Sequence, residues 1–96
     1  MRLAAAALIA LAALTGTVVA GPPTAAQKNT FHRVCMSIAS NEPLCSCKAD
    51  AAVRLIDSDF IELVISAMKG ETYPADEQGR YDEYIRRSNA ICIPGY

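Results

Sequence analysis

The hydrophobic pattern after residue 30 has the period of an α-helix and nowhere that of a strand. Phe31, Val34, Cys35, Ile38 and Ala39 recur at spacings of three and four, which predicts a first helix ending at Ser40-Asn41. Pro43 suits the first turn of a second helix, where its missing N–H costs nothing. In that helix Leu44, Cys47, Ala51 and Leu55 share one face, and Cys45, Ala49, Ala52 and Ile56 line the adjacent one. Asp57-Ser58-Asp59 announces a third helix. Asp59 is placed to cap it, with Glu62 three residues on to complete a capping-box-like pair. Phe60, Leu63, Val64, Ala67 and Met68 form its apolar stripe, and Gly70 is its stop, because glycine tolerates the left-handed conformation that closes a helix.

Residues 71–79 read as a polar connection punctuated by Pro74 and Gly79, with Asp76 and Glu77 as an alternative start for the last helix. That fourth helix carries Tyr81, Tyr84, Ile85, Ser88, Ile91 and Cys92 at helical spacing, Arg86 and Arg87 toward its end, and Pro94-Gly95 as terminator. The pattern predicts an all-α fold: a small, disulfide-stapled bundle of three to four helices arranged as two helical hairpins. No internal repeat is present.

Residues 1–20 are patterned differently. Arg2 precedes an apolar run from Leu3 to Leu14, followed by Thr15, Gly16 and Thr17 and then Val18-Val19-Ala20, the layout of a signal peptide cut between Ala20 and Gly21. The run is shorter than the about 20 apolar residues that span a bilayer. The expectation is therefore a leader, 1–20, and a single helical domain, 21–96, in the periplasm or outside the cell. No stable membrane insertion is expected once the leader is gone.

Export changes the reading of Cys35, Cys45, Cys47 and Cys92. In an oxidising compartment four cysteines imply two disulfides, and a domain this small gains from staples because its core is limited. A Cys45–Cys47 bridge would close a cramped ring. At about 1.5 Å rise per residue, Cys35 lies about 7.5 Å from the end of helix one, Cys47 about 6 Å from Pro43 and Cys45 about 3 Å. Matching levels pairs Cys35 with Cys47 and leaves Cys45 for Cys92. Cys35–Cys45 with Cys47–Cys92 is the alternative, since one residue at either helix end reverses the order.

Charge removes one class of partner. Nine basic residues stand against ten acidic ones without a run of either sign, so no nucleic-acid partner is expected. Arg86-Arg87 reads as a solvated helix end.

The candidate chemistry is sparse. Cys45-Ser46-Cys47 could chelate a soft metal or exchange disulfides if its thiols were free. His32, Met36 and Met68 are the other soft ligands, although Met68 sits on an apolar stripe where packing explains it. The serines have only His32 as a base, and none lies in a nucleophile elbow. The carboxylates fall at helix starts or on wet faces, and no acidic loop has the calcium-binding spacing. A non-enzymatic protein without metal or cofactor is the expectation.

Tyr73, Tyr81, Tyr84 and Tyr96 cluster near the end of the chain. Tyr81 and Tyr84 lie on the stripe that should face the core, which leaves Tyr73 and Tyr96 as a candidate partner surface, a role that suits tyrosine's rigid ring and polar tip.

Phe31, Cys35, the Cys45-Ser46-Cys47 element and Cys92 together resemble the plan of small uncharacterised helical proteins exported by proteobacteria, a group that implies no activity. In size and class the chain is also similar to small helical acid-stress chaperones of the bacterial periplasm, which typically use one disulfide rather than two. The function expected is binding to another envelope or secreted protein, as adaptor, inhibitor, immunity factor or chaperone. A carrier of a small apolar ligand is the alternative, because helices two and three carry more apolar surface than one hairpin buries. A thiol-redox or copper-handling protein using Cys45 and Cys47 is the third.

Overall fold

The structure, a computed structural model, describes residues 20–93. The leader up to Val19, the Pro94-Gly95 terminator and Tyr96 lie outside the described residues. Four α-helices follow one another: α1, Ala25–Ala39; α2, Glu42–Leu55; α3, Ser58–Met68; and α4, Gln78–Cys92, entered through a 3-10 turn at Ala75–Glu77.

Local chemistry sets each boundary. Thr24 and Gln27 make a reciprocal capping box, with Thr24 Oγ1 accepting from the Gln27 N–H (3.1 Å) and Gln27 Oε1 from the Thr24 N–H (2.9 Å). Helix α1 thus starts well before Phe31, through a turn and a half with no large apolar residue to signal it. It closes at Ser40, which adopts the left-handed conformation at φ 51°. Asn41 then caps α2 by accepting from the Leu44 N–H (3.1 Å), and Pro43 occupies the first turn. The two-residue link makes α1 and α2 a tight hairpin.

The cap of α3 is Asp57 rather than Asp59: its Oδ1 accepts from the Phe60 N–H at 2.8 Å. Glu62 accepts instead from Gln27 Nε2 (2.9 Å), which ties α3 to the start of α1. Gly70, at φ 86°, ends the helix as expected. Its N–H bonds to Ala67 O and that of Glu71 to Ser66 O, the paired closure that a left-handed residue permits.

Helix α1 packs against both α2 and α3, and α4 packs against α2. Phe31 and Cys35 of α1 meet Cys45, Ala49 and Ala52 of α2, four residues of α3 and Tyr84 of α4 in one core. Ala49, Ala51 and Ala52 are fully buried, so both neighbours can approach the α2 backbone closely. On α3 the deepest residues are Phe60, Ile61, Val64 and Ile65, with Leu63 and Met68 only half-buried. This face is rotated from the expected one because the apolar side of α3, opposite Asp59, Glu62 and Ser66, is wider than the strip it buries, and periodicity alone does not choose within it. The segment before α1 is also fixed: Gly21 O accepts from the Ser58 N–H (2.9 Å) and Pro23 is buried.

The disulfides are Cys35–Cys45 and Cys47–Cys92, which corrects the pairing expected from helix levels, Cys35–Cys47 with Cys45–Cys92. Helix α2 starts at Glu42, so Cys45 and Cys47 lie about 1.5 Å above and below the level of Cys35 at 1.5 Å per residue, and height does not choose between them. Facing does. Two residues apart on a helix, Cys45 and Cys47 point about 200° away from each other. The Cys45, Ala49 and Ala52 side is the one that meets α1, which leaves Cys47 toward α4. The Cα separations of 5.6 and 5.7 Å are those of ordinary bridges.

Candidate functional site

The gap in the bundle lies beside the closed end of the α1–α2 hairpin, where parts of α3 and α4 complete its wall. There Ile38 of α1, Leu44 and Lys48 of α2, Val64 and Met68 of α3 and Ile85 of α4 surround an open cleft of about 190 Å³, with Phe31 and Tyr84 as its buried wall. Every helix contributes, and the turn at Ser40-Asn41 sets one end of the cleft by bringing Ile38 and Leu44 together. Ile38, expected on the buried face of α1, is 61% exposed, because the last turn of α1 runs past the core and forms the rim. An apolar cavity of about 150 Å³ holds benzene. This cleft therefore has room for one ring or a short branched chain, and is smaller than the roughly 300–1,000 Å³ of a drug-sized site.

One charged residue stands in this apolar wall. The Lys48 stem lines the cleft, and its ammonium donates to Ser88 Oγ (2.9 Å) and to Asn89 Oδ1 on α4. Ser88, 0% exposed, also donates to Ile85 O at 3.2 Å. Among the described residues Lys48 has no carboxylate partner; Arg33, Arg54, Lys69 and Arg87 have none either, but they are exposed, whereas Lys48 is half-buried. Burial holds its pKa below the usual lysine value. Beside this group the Tyr84 hydroxyl is out of solvent and has no hydrogen-bond partner. Burial pushes that phenol far above its usual range, an effect that the nearby Ser88 side chain only partly offsets. Asn89 and Lys48 carried no weight in the sequence reading. The available signal was a lysine at the i+4 position from Leu44 within an apolar stripe.

The other candidate residues are dispersed. Cys45 and Cys47 are bonded to different helices, and no cysteine is free among the described residues, so a chelating thiolate pair would require both bridges reduced. His32 pairs with Glu42 at the α1–α2 turn, and Met36 packs beside the core. No group of three His, Cys, Asp or Glu residues that could hold a metal occurs among the described residues. Tyr73 is half-buried. Its ring lies 5.0 Å from that of Tyr81 and its hydroxyl donates to Gln78 Oε1 (2.8 Å), so it braces the entry to α4; Tyr96 is outside the described residues. Arg86 is exposed and paired with Glu83.

No family model, curated protein or solved structure matches the chain. What the molecule does has to be argued from the cleft itself.

Proposed function

We propose that this chain is an exported, non-enzymatic binding protein whose working site is the cleft between the four helices, and whose ligand is a small molecule with an apolar body. The observation that carries this is the cleft's lining: apolar side chains from all four helices, open to solvent at Ile38, with room for about one ring. Two disulfides are consistent with an oxidising compartment, and the periplasm or the cell exterior is the location proposed. Among the described residues no helix is long and apolar enough to cross a membrane.

A second reading has support of its own. Ile38, a large apolar side chain in water at the rim of the cleft, is placed to meet a side chain of a protein partner seated there. That partner would be another envelope or secreted protein.

The two are separated by methyl NMR during titration with hexan-1-ol. A small-molecule site gives saturable shifts at Ile38, Leu44, Val64, Met68 and Ile85, and loses them in Ala39→Trp, which fills the cleft from an exposed position. Unsaturating shifts spread over exposed methyls such as Ile91 would sink the small-ligand reading.

A further inference from the structure

The cleft gives a ligand almost nothing to bond to. Its deepest lining is Phe31 and Val64, both buried, and its rim is the exposed Ile38, so it is apolar from floor to mouth. The polar groups nearest to it are engaged or hidden. Lys48 gives the cleft its stem, while its ammonium donates to Ser88 and Asn89, neither of which lines the space. The Tyr84 hydroxyl is out of solvent, so Tyr84 contributes its ring. A polar atom carried into such a recess leaves its water and finds no partner, which weakens binding about tenfold or more. An apolar end carried in leaves water at a gain.

From this lining we infer that the cleft takes a small molecule with a polar group at one end only, held tail-first, with its hydrocarbon end against Phe31 and Val64 and its polar end in water beyond Ile38. The inference rests on the cleft being a ligand site and adds the ligand's class and its direction. Room for about one ring sets the inserted part at about six carbons. The polar end keeps its hydration both free and bound, and a charge left in water contributes little to binding. An alcohol, an acid and an amine on the same chain are therefore taken alike, and a second polar group at the far end of that chain is refused.

The test follows hexan-1-ol, hexanoate, hexylamine and hexane-1,6-diol by methyl NMR titration at neutral pH, with intermolecular NOEs measured for the alcohol. The first three should give saturable shifts at Val64 and Met68, with dissociation constants within about fivefold of one another. The diol should bind about tenfold or more weaker than the alcohol. The terminal methyl of hexan-1-ol should show NOEs to the Phe31 ring and the Val64 methyls, and its first methylene to Ile38. A first methylene seated at Phe31 or Val64 would overturn the tail-first direction while leaving the cleft as a site. A diol bound as tightly as the alcohol, or an acid or amine preferred beyond that range, would also overturn the inference, since the cleft would then be reading a polar group. Saturable binding of none of the four would overturn both the inference and the reading beneath it.

Discussion

Lys48 on α2 reaches across to Ser88 on α4, with Nζ 2.9 Å from Oγ, one residue along from Cys47 and one turn before Cys92, which are themselves bridged. Covalent and polar links therefore fall side by side on the same helix contact. The bridge fixes how α4 lies on α2, and that placement brings Ser88 and Asn89 within reach of the ammonium. Lys48→Ala should cost about 1–3 kcal/mol, since Asn89 Oδ1 and Ser88 Oγ lose their donor in a buried setting. Lys48→Met should cost about 1 kcal/mol less than Lys48→Ala because the stem still covers apolar surface. Urea midpoints of the two variants check the ordering.

Tyr84→Phe should be neutral or stabilising by up to about 1 kcal/mol in the unliganded protein. A buried hydroxyl without a partner costs solvation and returns nothing, and the ring that fills the core is unchanged. Thermal unfolding measured beside the wild type would show a lowered midpoint if the hydroxyl in fact makes a bond that stabilises the fold.

Two glycines should respond to alanine with opposite signs. Gly70 sits at φ 86°, so Gly70→Ala should destabilise by about 1–2 kcal/mol although a Cβ there would meet nothing within 4 Å. Gly79 lies within α4, also in open space and without a positive φ, so Gly79→Ala should stabilise by about 0.5 kcal/mol. Denaturant midpoints of the pair provide the comparison, each serving as control for the other.

The α3 cap predicts an acid-sensitive contribution. The Phe60 N–H bonded to Asp57, with Arg80 beside it, holds this carboxylate below the ordinary aspartate value of 3.8. Between the lowered folded value and 3.8 the unfolded chain binds more protons, so stability rises with pH across that window. The contribution is complete above 3.8 and is lost as pH falls through the folded value. Asp57→Asn keeps the cap acceptor but cannot titrate. Its melting temperature should fall short of wild type at neutral pH and converge with it in acid. Asp50 and Glu83, also shifted downward by Lys28 and Arg86, titrate in the same range in both proteins and cancel in the difference. Asp57→Ala, which removes the cap as well, should cost about 1 kcal/mol.

The helices were legible because large apolar residues repeat at helical spacing from Phe31 to Cys92, and because Gly70 and Pro43 mark boundaries by backbone chemistry. The start of α1 was not, since Ala25 to Thr30 carry no apolar period, and only the Thr24 and Gln27 pair gives it away. Disulfide pairing failed for an instructive reason. Both faces of α2 were identified from the sequence, but pairing by height along the helix overrode the direction in which Cys45 and Cys47 point. Height differs little between residues two apart, whereas direction nearly reverses. The cleft was hidden because it arises among all four helices and depends on how α3 and α4 each pack on the α1–α2 hairpin. No local pattern encodes that. Lys48 was hidden with it, as a lysine is ordinarily a surface residue and its bonds to Ser88 and Asn89 depend on where α4 lies.

The most direct measurement is a crystal structure of the protein soaked in 6-bromohexan-1-ol, with the bromine located by its anomalous signal. A cleft that binds small molecules with an apolar body places the bromine among Phe31, Val64 and Met68. A bromine found only elsewhere on the surface would contradict it.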